Sequence, residues 1–164
     1  MPVIVDDGFA LSESSVIVEY LEEQYRGSGA PLWPIEPRAR AIARRTAIEG
    51  DAHIYPYVRK LVLELLMRKA GEPDAAAIAD AKGTLKRELA QLAQNLEGPY
   101  IAGLEPSAAD FALYPFLAVL NRVADRRPEQ AIGEVMPGSL RPWMSRIEAL
   151  PYFAKTIPPH WKAS

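Results

Sequence analysis

The chain has 164 residues, a formal net charge of −2, no cysteine and an apolar fraction of 49%. That length allows one domain, or one and a fraction, with a sizeable core; a chain this long buries about 70% of its unfolded surface. The charge disfavours nucleic acid and anionic membranes as partners. The lack of cysteine excludes disulfides, thiolate metal sites and a cysteine nucleophile within this sequence, and no apolar run reaches the ~18 residues of a membrane span.

The first strand pattern begins at once, with no basic leader before it, so a cytoplasmic location is expected. Val3-Ile4-Val5 is a β-branched run, followed by Asp7-Gly8 and then Phe9-Ala10-Leu11. A type I′ turn needs φ > 0, which Gly adopts at no steric cost, so the pattern predicts a tight hairpin. Ser12, Ser14 and Ser15 each offer an oxygen to the free N–H groups of a following helix. Val16, Ile17, Tyr20, Leu21 and Gln24-Tyr25 recur at helical spacing, while Glu19, Glu22 and Glu23 face away. A lone hairpin is marginally stable in water, and no later segment reads as β. The unit is expected to be the tail of a sheet domain whose beginning is absent.

Gly- and Pro-rich residues 27–37 form a linker, which Leu32 and Trp33 can pin to a neighbouring surface. Everything after it is helical. Pro37 or Arg38 opens a helix whose inward stripe is Ile42, Thr46, Gly50, His53-Ile54, Tyr57-Val58, Leu61 and Leu65-Leu66, with a kink expected at Pro56. From Ala75 to Leu96, Ile78, Leu85, Leu89, Leu92 and Leu96, with the stem of Lys82, repeat at three and four. Glu105-Pro106-Ser107-Ala108-Ala109-Asp110 places Ser107 at an N-cap and Asp110 three residues on, a capping box with Asp in place of Glu. Phe111 to Val123 is apolar nearly all round, so this helix should cross the core, with a second kink at Pro115. Residues 140–150 predict a short helix with Leu140, Trp143-Met144 and Ile147 inward. Residues 151–156 predict one more turn, and the tail through Trp161 is expected to be extended and packed back over the domain.

Two features together carry a family resemblance: Glu13-Ser14 at the start of the first helix, and the Ser107–Asp110 box before a buried helix. The chain resembles the glutathione S-transferase family over nearly its whole length. The resemblance implies a fold that is mainly α: a partial thioredoxin-like hairpin plus helix at 1–26, a linker at 27–37, and an all-α bundle at 38–164. It lacks the family's first β-α-β segment, which normally carries the Ser, Cys or Tyr that activates the thiol.

The resemblance implies a glutathione-binding set of Pro2, Glu13 and Ser14. Free N–H groups and a Ser hydroxyl at a helix start hold a carboxylate, and Glu13 beside them can pair with an ammonium. Pro2 stands where the family has a proline after a cis peptide bond, with Met1 in place of the usual hydrophobe; an edge-strand proline is the plainer reading. Tyr55, Tyr57 and Tyr114 are candidates to line a hydrophobic-substrate pocket, though ordinary packing tyrosines fit equally well. His53 reads as a core or interface histidine. Arg38, Arg40, Arg44 and Arg45 read as a solvated helix face, with intersubunit pairing as a second use. No metal is implied: two histidines without cysteine give no ligand spacing.

The family reaction is addition of the glutathione thiolate to a small apolar electrophile, with glutathione as co-substrate and a homodimer as the assembly. No residue here is assigned the catalytic role, and this chain alone is expected to bind glutathione weakly and turn over little. The competing reading is a non-catalytic module of the same fold, used for dimerisation or partner docking; a third is a mis-started form of a longer enzyme.

Overall fold

β1 (Val3–Asp6) pairs antiparallel with β2 (Phe9–Ser12), Asp6 opposite Phe9, in the computed structural model, which describes residues 2–96 and 98–161. Asp7 and Gly8 between them have φ of 46° and 87°, the two positive values a type I′ turn requires. α1 (Ser14–Gln24) packs on the hairpin with Ile17 buried. Val16 and Leu21, expected on the inward face, are 48% and 37% exposed. Two four-residue strands offer too little surface to cover a wider stripe.

A polar clamp supplements this small contact. The Tyr20 and Tyr25 hydroxyls both donate to the Asp6 carboxylate, each at 2.7 Å. These bonds, Tyr25 foremost, hold Asp6 below the usual carboxylate range, and the bond to Asp6 pushes Tyr20 up to about 12. The link therefore contributes fully to stability above the unfolded carboxylate pKa, and is lost as pH falls through the depressed folded value. On the alkaline side it is present below the unfolded tyrosine value and lost as pH rises through about 12. An absorbance titration is expected to show Tyr20 ionising near 12 in the native protein, and Asp6→Asn to return it toward 10.0. Ionisation at 10.0 in the unsubstituted protein would reject the clamp.

The linker is pinned as expected. Trp33 is 8% exposed within the core cluster, and the Leu32 carbonyl accepts from Ala108 N–H at 2.8 Å. α2 (Pro37–Glu49) follows, with the Glu36 side chain capping it through Ala39 N–H at 2.7 Å.

The single kinked helix expected across Pro56 is instead four pieces: α2, a π-helical turn at Gly50–Ile54, α3 (Tyr55–Val62) and a second π-helical turn at Leu63–Met67. The wide turn absorbs the disturbance before the proline arrives. Pro56 then lies in the first turn of α3, where a missing N–H removes no helix bond. The extra residue in the turn also rotates the face. Thr46, Gly50, Ile54, Val58, Leu61 and Leu65 are buried, but His53, past the start of the wide turn, is exposed, as is Ile42 before it; of the two expectations for His53, a core or an interface histidine, the core one is corrected.

α4 (Ala75–Asn95) is capped by Asp74 and buries Ile78, Leu85 and Leu89. Lys82 lays a half-buried stem along the core and donates to the Gln130 carbonyl at 2.6 Å. α5 (Ala108–Arg126) is the central helix, with Ala109, Leu113, Leu117 and Val123 fully buried. It continues unbroken past Pro115, whose ring lies on the exposed side. Three 3-10 turns carry the chain through residues 128–140. α6 (Arg141–Glu148) buries Trp143, Met144 and Ile147 as its spacing predicts, and α7 (Phe153–Thr156) adds a turn. The tail is not extended: Pro159–Trp161 forms a 3-10 turn closed by Trp161 N–H donating to the Pro158 carbonyl at 2.9 Å. The Arg122 guanidinium sits 5.0 Å over the Trp161 ring, which draws the turn back onto the domain. Among the described residues, no helix is long and apolar enough to cross a membrane.

The capping box forms at the start of α5. One Asp110 oxygen accepts from the Ser107 N–H and hydroxyl, both at 2.8 Å. The other accepts from Ile101 N–H at 2.9 Å and from the Trp143 indole at 2.8 Å. One fully buried carboxylate thus ties together the connector before α5, the helix itself and α6.

Candidate functional site

The site is built at the start of α1. Glu13, not a serine, is the N-cap residue, and no side chain caps the helix. Its φ of 72° and ψ of 113° lie in a sparsely populated region, a conformation that costs about 1–3 kcal/mol and persists only where the surroundings impose it. The Glu13 carbonyl accepts from Ile17 N–H at 2.9 Å, and its side chain is exposed. The first N–H groups of the helix therefore remain open to an acceptor from outside. The β1–β2 register pairs Val3 with Ser12; continued one step, it brings Pro2 level with Glu13. The Met1–Pro2 peptide bond, which the family resemblance alone would make cis, lies outside the described residues.

Side-chain ties fix α1 against the helical part. Arg44 on α2 donates to both oxygens of Glu19, at 3.2 and 2.9 Å, and its guanidinium lies 5.4 Å over the Trp33 ring. Glu22 accepts from Leu32 N–H at 3.0 Å. Arg40 donates to the Pro34 and Ile35 carbonyls, and Arg45 pairs with Glu49 at 3.5 Å. Much of the basic cluster is therefore used within the chain, chiefly to anchor the linker and α1. The exposed ion pairs add about 0–1 kcal/mol each, but the two-pronged Arg44–Glu19 contact also fixes orientation.

Ser14 then borders an apolar cavity of about 330 Å3. Ser15 and Val18 continue that wall, Leu32 and Trp33 close one side, and Phe111, Pro115 and Phe116 of α5 lie opposite. The Trp33 indole N–H is buried without an acceptor. A second apolar cavity, about 360 Å3, adjoins the first and is lined by Tyr114, Ile147, Leu150, Tyr152 and Phe153.

The candidate tyrosines divide. Tyr114 does border the second cavity, and its hydroxyl donates to Glu148 at 2.8 Å. Burial first, and then that bond, push its pKa upward. Tyr55 is exposed and packs on Phe116 from outside, with ring centroids 5.3 Å apart. Tyr57 lies beside Lys60, whose ammonium is 5.3 Å over its ring. Neither lines the two cavities. The residues not anticipated as site-forming are Phe111, Pro115 and Phe116. Their signal was present in the apolar surplus of α5, which exceeds what one buried face needs.

A hairpin-backed helix start thus faces an apolar groove in a helical bundle. The comparisons bear on that architecture. A family model described as "Glutathione S-transferase, C-terminal domain" matches residues 46–151, and another, "Glutathione S-transferase, N-terminal domain", matches residues 1–29. The chain is 29% identical over 161 residues to glutathione S-transferase F14 of Arabidopsis thaliana, covering 96% of this chain and 62% of that protein. It is 31% identical over 126 residues to a probable maleylacetoacetate isomerase of Caenorhabditis elegans, covering 74% and 56% respectively. Among solved structures, glutathione S-transferase 1-6 from Anopheles dirus species B superposes with a TM-score of 0.71 at 27% identity, over 94% of this chain and 68% of that one. The chain belongs to the glutathione S-transferase family. It spans less than two thirds of the length of these two curated relatives.

Proposed function

We propose that the protein serves glutathione transfer, with Pro2, Glu13 and Ser14 holding glutathione and the apolar groove holding the electrophile. The observation that carries this reading is the uncapped start of α1 at Ser14, placed on the wall of an apolar cavity. The helix N–H groups and the Ser14 hydroxyl suit the γ-glutamyl carboxylate, Glu13 suits its ammonium, and Pro2 lies level with Glu13 in the continued strand register. Of the tyrosine candidates, Tyr114 alone belongs to the groove. In the reaction the thiolate forms a C–S bond. Either a leaving group departs with its bonding electron pair, or the thiol's proton goes to the neighbouring carbon. The hydrogen bond that lowers the thiol pKa is assigned to no residue of this chain.

The division at 1–26, 27–37 and 38–164, a homodimeric assembly, a cytoplasmic location and a role in detoxification belong to the same proposal. Calorimetric titration with glutathione tests it. The chain is expected to bind in the millimolar range, and Ser14→Ala to weaken binding about tenfold, the loss of one charge-assisted hydrogen bond. Equal affinity in the unsubstituted protein and in Ser14→Ala would remove Ser14 from the site.

A further inference from the structure

We infer that Asp51 is a specificity-determining residue, which makes the site select an electrophile carrying a cationic nitrogen. The inference rests on the reading of the groove as the electrophile's seat and adds the charge of the molecule taken there. Among the described residues that line either cavity, Asp51 alone is charged. It borders the cavity of about 330 Å3 that Ser14 also borders, and it is exposed, which places it at the rim.

The local fold brings it there uncompensated. Ala47 and Asp51, four residues apart, line this cavity, whereas Gly50 and His53 line a different one. Asp51 lies in the π-helical turn Gly50–Ile54, and such single wide turns recur at functional sites. A lysine or arginine three or four residues away on the helix would pair with the carboxylate. Those positions hold Ala47, Ile48, Ile54 and Tyr55 instead. Among the described residues Asp51 enters no ion pair. Arg44, over the Trp33 ring, is already paired with Glu19 through both carboxylate oxygens.

Aromatic rings add to the same preference. Phe116 lines the cavity, and Tyr55, four residues beyond Asp51, packs on Phe116 with ring centroids 5.3 Å apart. A cation beside such rings is attracted by their quadrupole. An ammonium at the rim keeps part of its hydration while facing a carboxylate near protein walls, where charges interact more strongly than in bulk water. An anionic electrophile meets like charge there, so the same residue repels as well as attracts.

The test titrates two unreactive probes of similar size into the full chain by calorimetry: benzylammonium and uncharged 4-methylphenol. The ratio of their affinities is read first without glutathione, whose own carboxylates attract a cation, and then with it. Benzylammonium is expected to bind about fivefold more tightly, the effect of one partly screened ion pair. Asp51→Asn keeps the shape and removes the charge, and is expected to bring the ratio to about one with 4-methylphenol affinity unchanged. Raising the ionic strength from ~0.01 to ~1 M shortens the screening length from ~30 to ~3 Å. That change is expected to remove most of the advantage in the unsubstituted protein, and it keeps the test available if the variant does not fold. A ratio near one in the unsubstituted protein, or one that neither Asp51→Asn nor salt changes, overturns the inference. Glutathione that fails to bind while the ratio still responds to Asp51→Asn removes the glutathione reading and supports the charge selection. Glutathione that binds while the ratio does not respond overturns the charge selection alone. Failure of both probes to bind overturns the groove reading and this inference together.

Discussion

Asp110→Ala is expected to lower the unfolding free energy by about 4 kcal/mol, measured as a shift in the urea midpoint followed by tryptophan fluorescence. The side chain accepts four hydrogen bonds in a fully buried position. Removing it leaves the N–H groups of Ile101 and Ser107 and the Trp143 indole without partners, and each stranded buried donor costs about 1–3 kcal/mol. The Ser107 hydroxyl can rotate and lose less. Part of the total is recovered by relaxation and by water entering the space, which sets the expectation below the simple sum. A domain of this kind has only about 5–15 kcal/mol to lose, so the alanine variant should be substantially unfolded near physiological temperature. Asp110→Asn separates the charge and donor effects from the loss of volume. Its amide oxygen can keep the bonds from Ile101 and Trp143, and its NH2 can donate to the Ser107 hydroxyl. The Ser107 N–H then faces a donor, so a smaller loss of about 2 kcal/mol is expected. A loss under 1 kcal/mol in the alanine variant would show that water or a rearranged chain satisfies these donors equally well.

This cap also shows where the sequence is readable and where it stops. Ser107 and Asp110 stand three residues apart, so their reciprocal bonding follows from helix geometry alone. The second pair of bonds, to Ile101 and Trp143, depends on where α6 packs, which no local pattern encodes. The hairpin was legible for the same local reason: Asp7-Gly8 admits the two positive φ values a two-residue turn needs. The π-helical turn at Gly50–Ile54 was not. Pro56 signals a disturbance but not that the chain absorbs it upstream, and the extra residue then carries His53 off the face that a strict 3.6-residue period assigns it. For the candidate site, the sequence points to Glu13 and Ser14, and the structure sets Ser14 on a cavity wall. The facing wall is legible only in part. Tyr114, Tyr55 and Tyr57 have the same chemistry in the sequence, yet only the first turns to the groove. Phe111, Pro115 and Phe116 became recognisable as lining residues once α1 and the linker were seen opposite them.

Gly50→Val is expected to cost about 3 kcal/mol, again read from the urea midpoint, and the reason is proximity rather than backbone freedom. Gly50 has an ordinary right-handed φ of −58°, so its conformation does not require glycine. Its neighbour does. A Cβ built there would lie 2.5 Å from Leu113 Cδ2, 3.3 Å from Leu113 Cγ and 3.7 Å from Phe116 Cε2. Leu113 is fully buried in the central helix and has little room to retreat, because interiors of this density do not absorb an extra methyl without moving their neighbours. Two terms compete. Replacing a helical glycine by alanine gains up to about 1 kcal/mol in propensity, whereas overpacking costs typically ~1–3 kcal/mol. Gly50→Ala should therefore show a net loss of about 1 kcal/mol. Valine adds two methyl groups to the same contact and has a lower helix propensity, so overpacking dominates. Phe116 is one wall of the cavity that Ser14 borders, so the displacement should reach the groove as well. Gly50→Val is expected to weaken 4-methylphenol binding severalfold at urea concentrations where the protein remains folded. An unchanged affinity, together with unchanged stability, would mean that α5 can move away from α2 at no cost, and that the close approach at Gly50 does not position the groove.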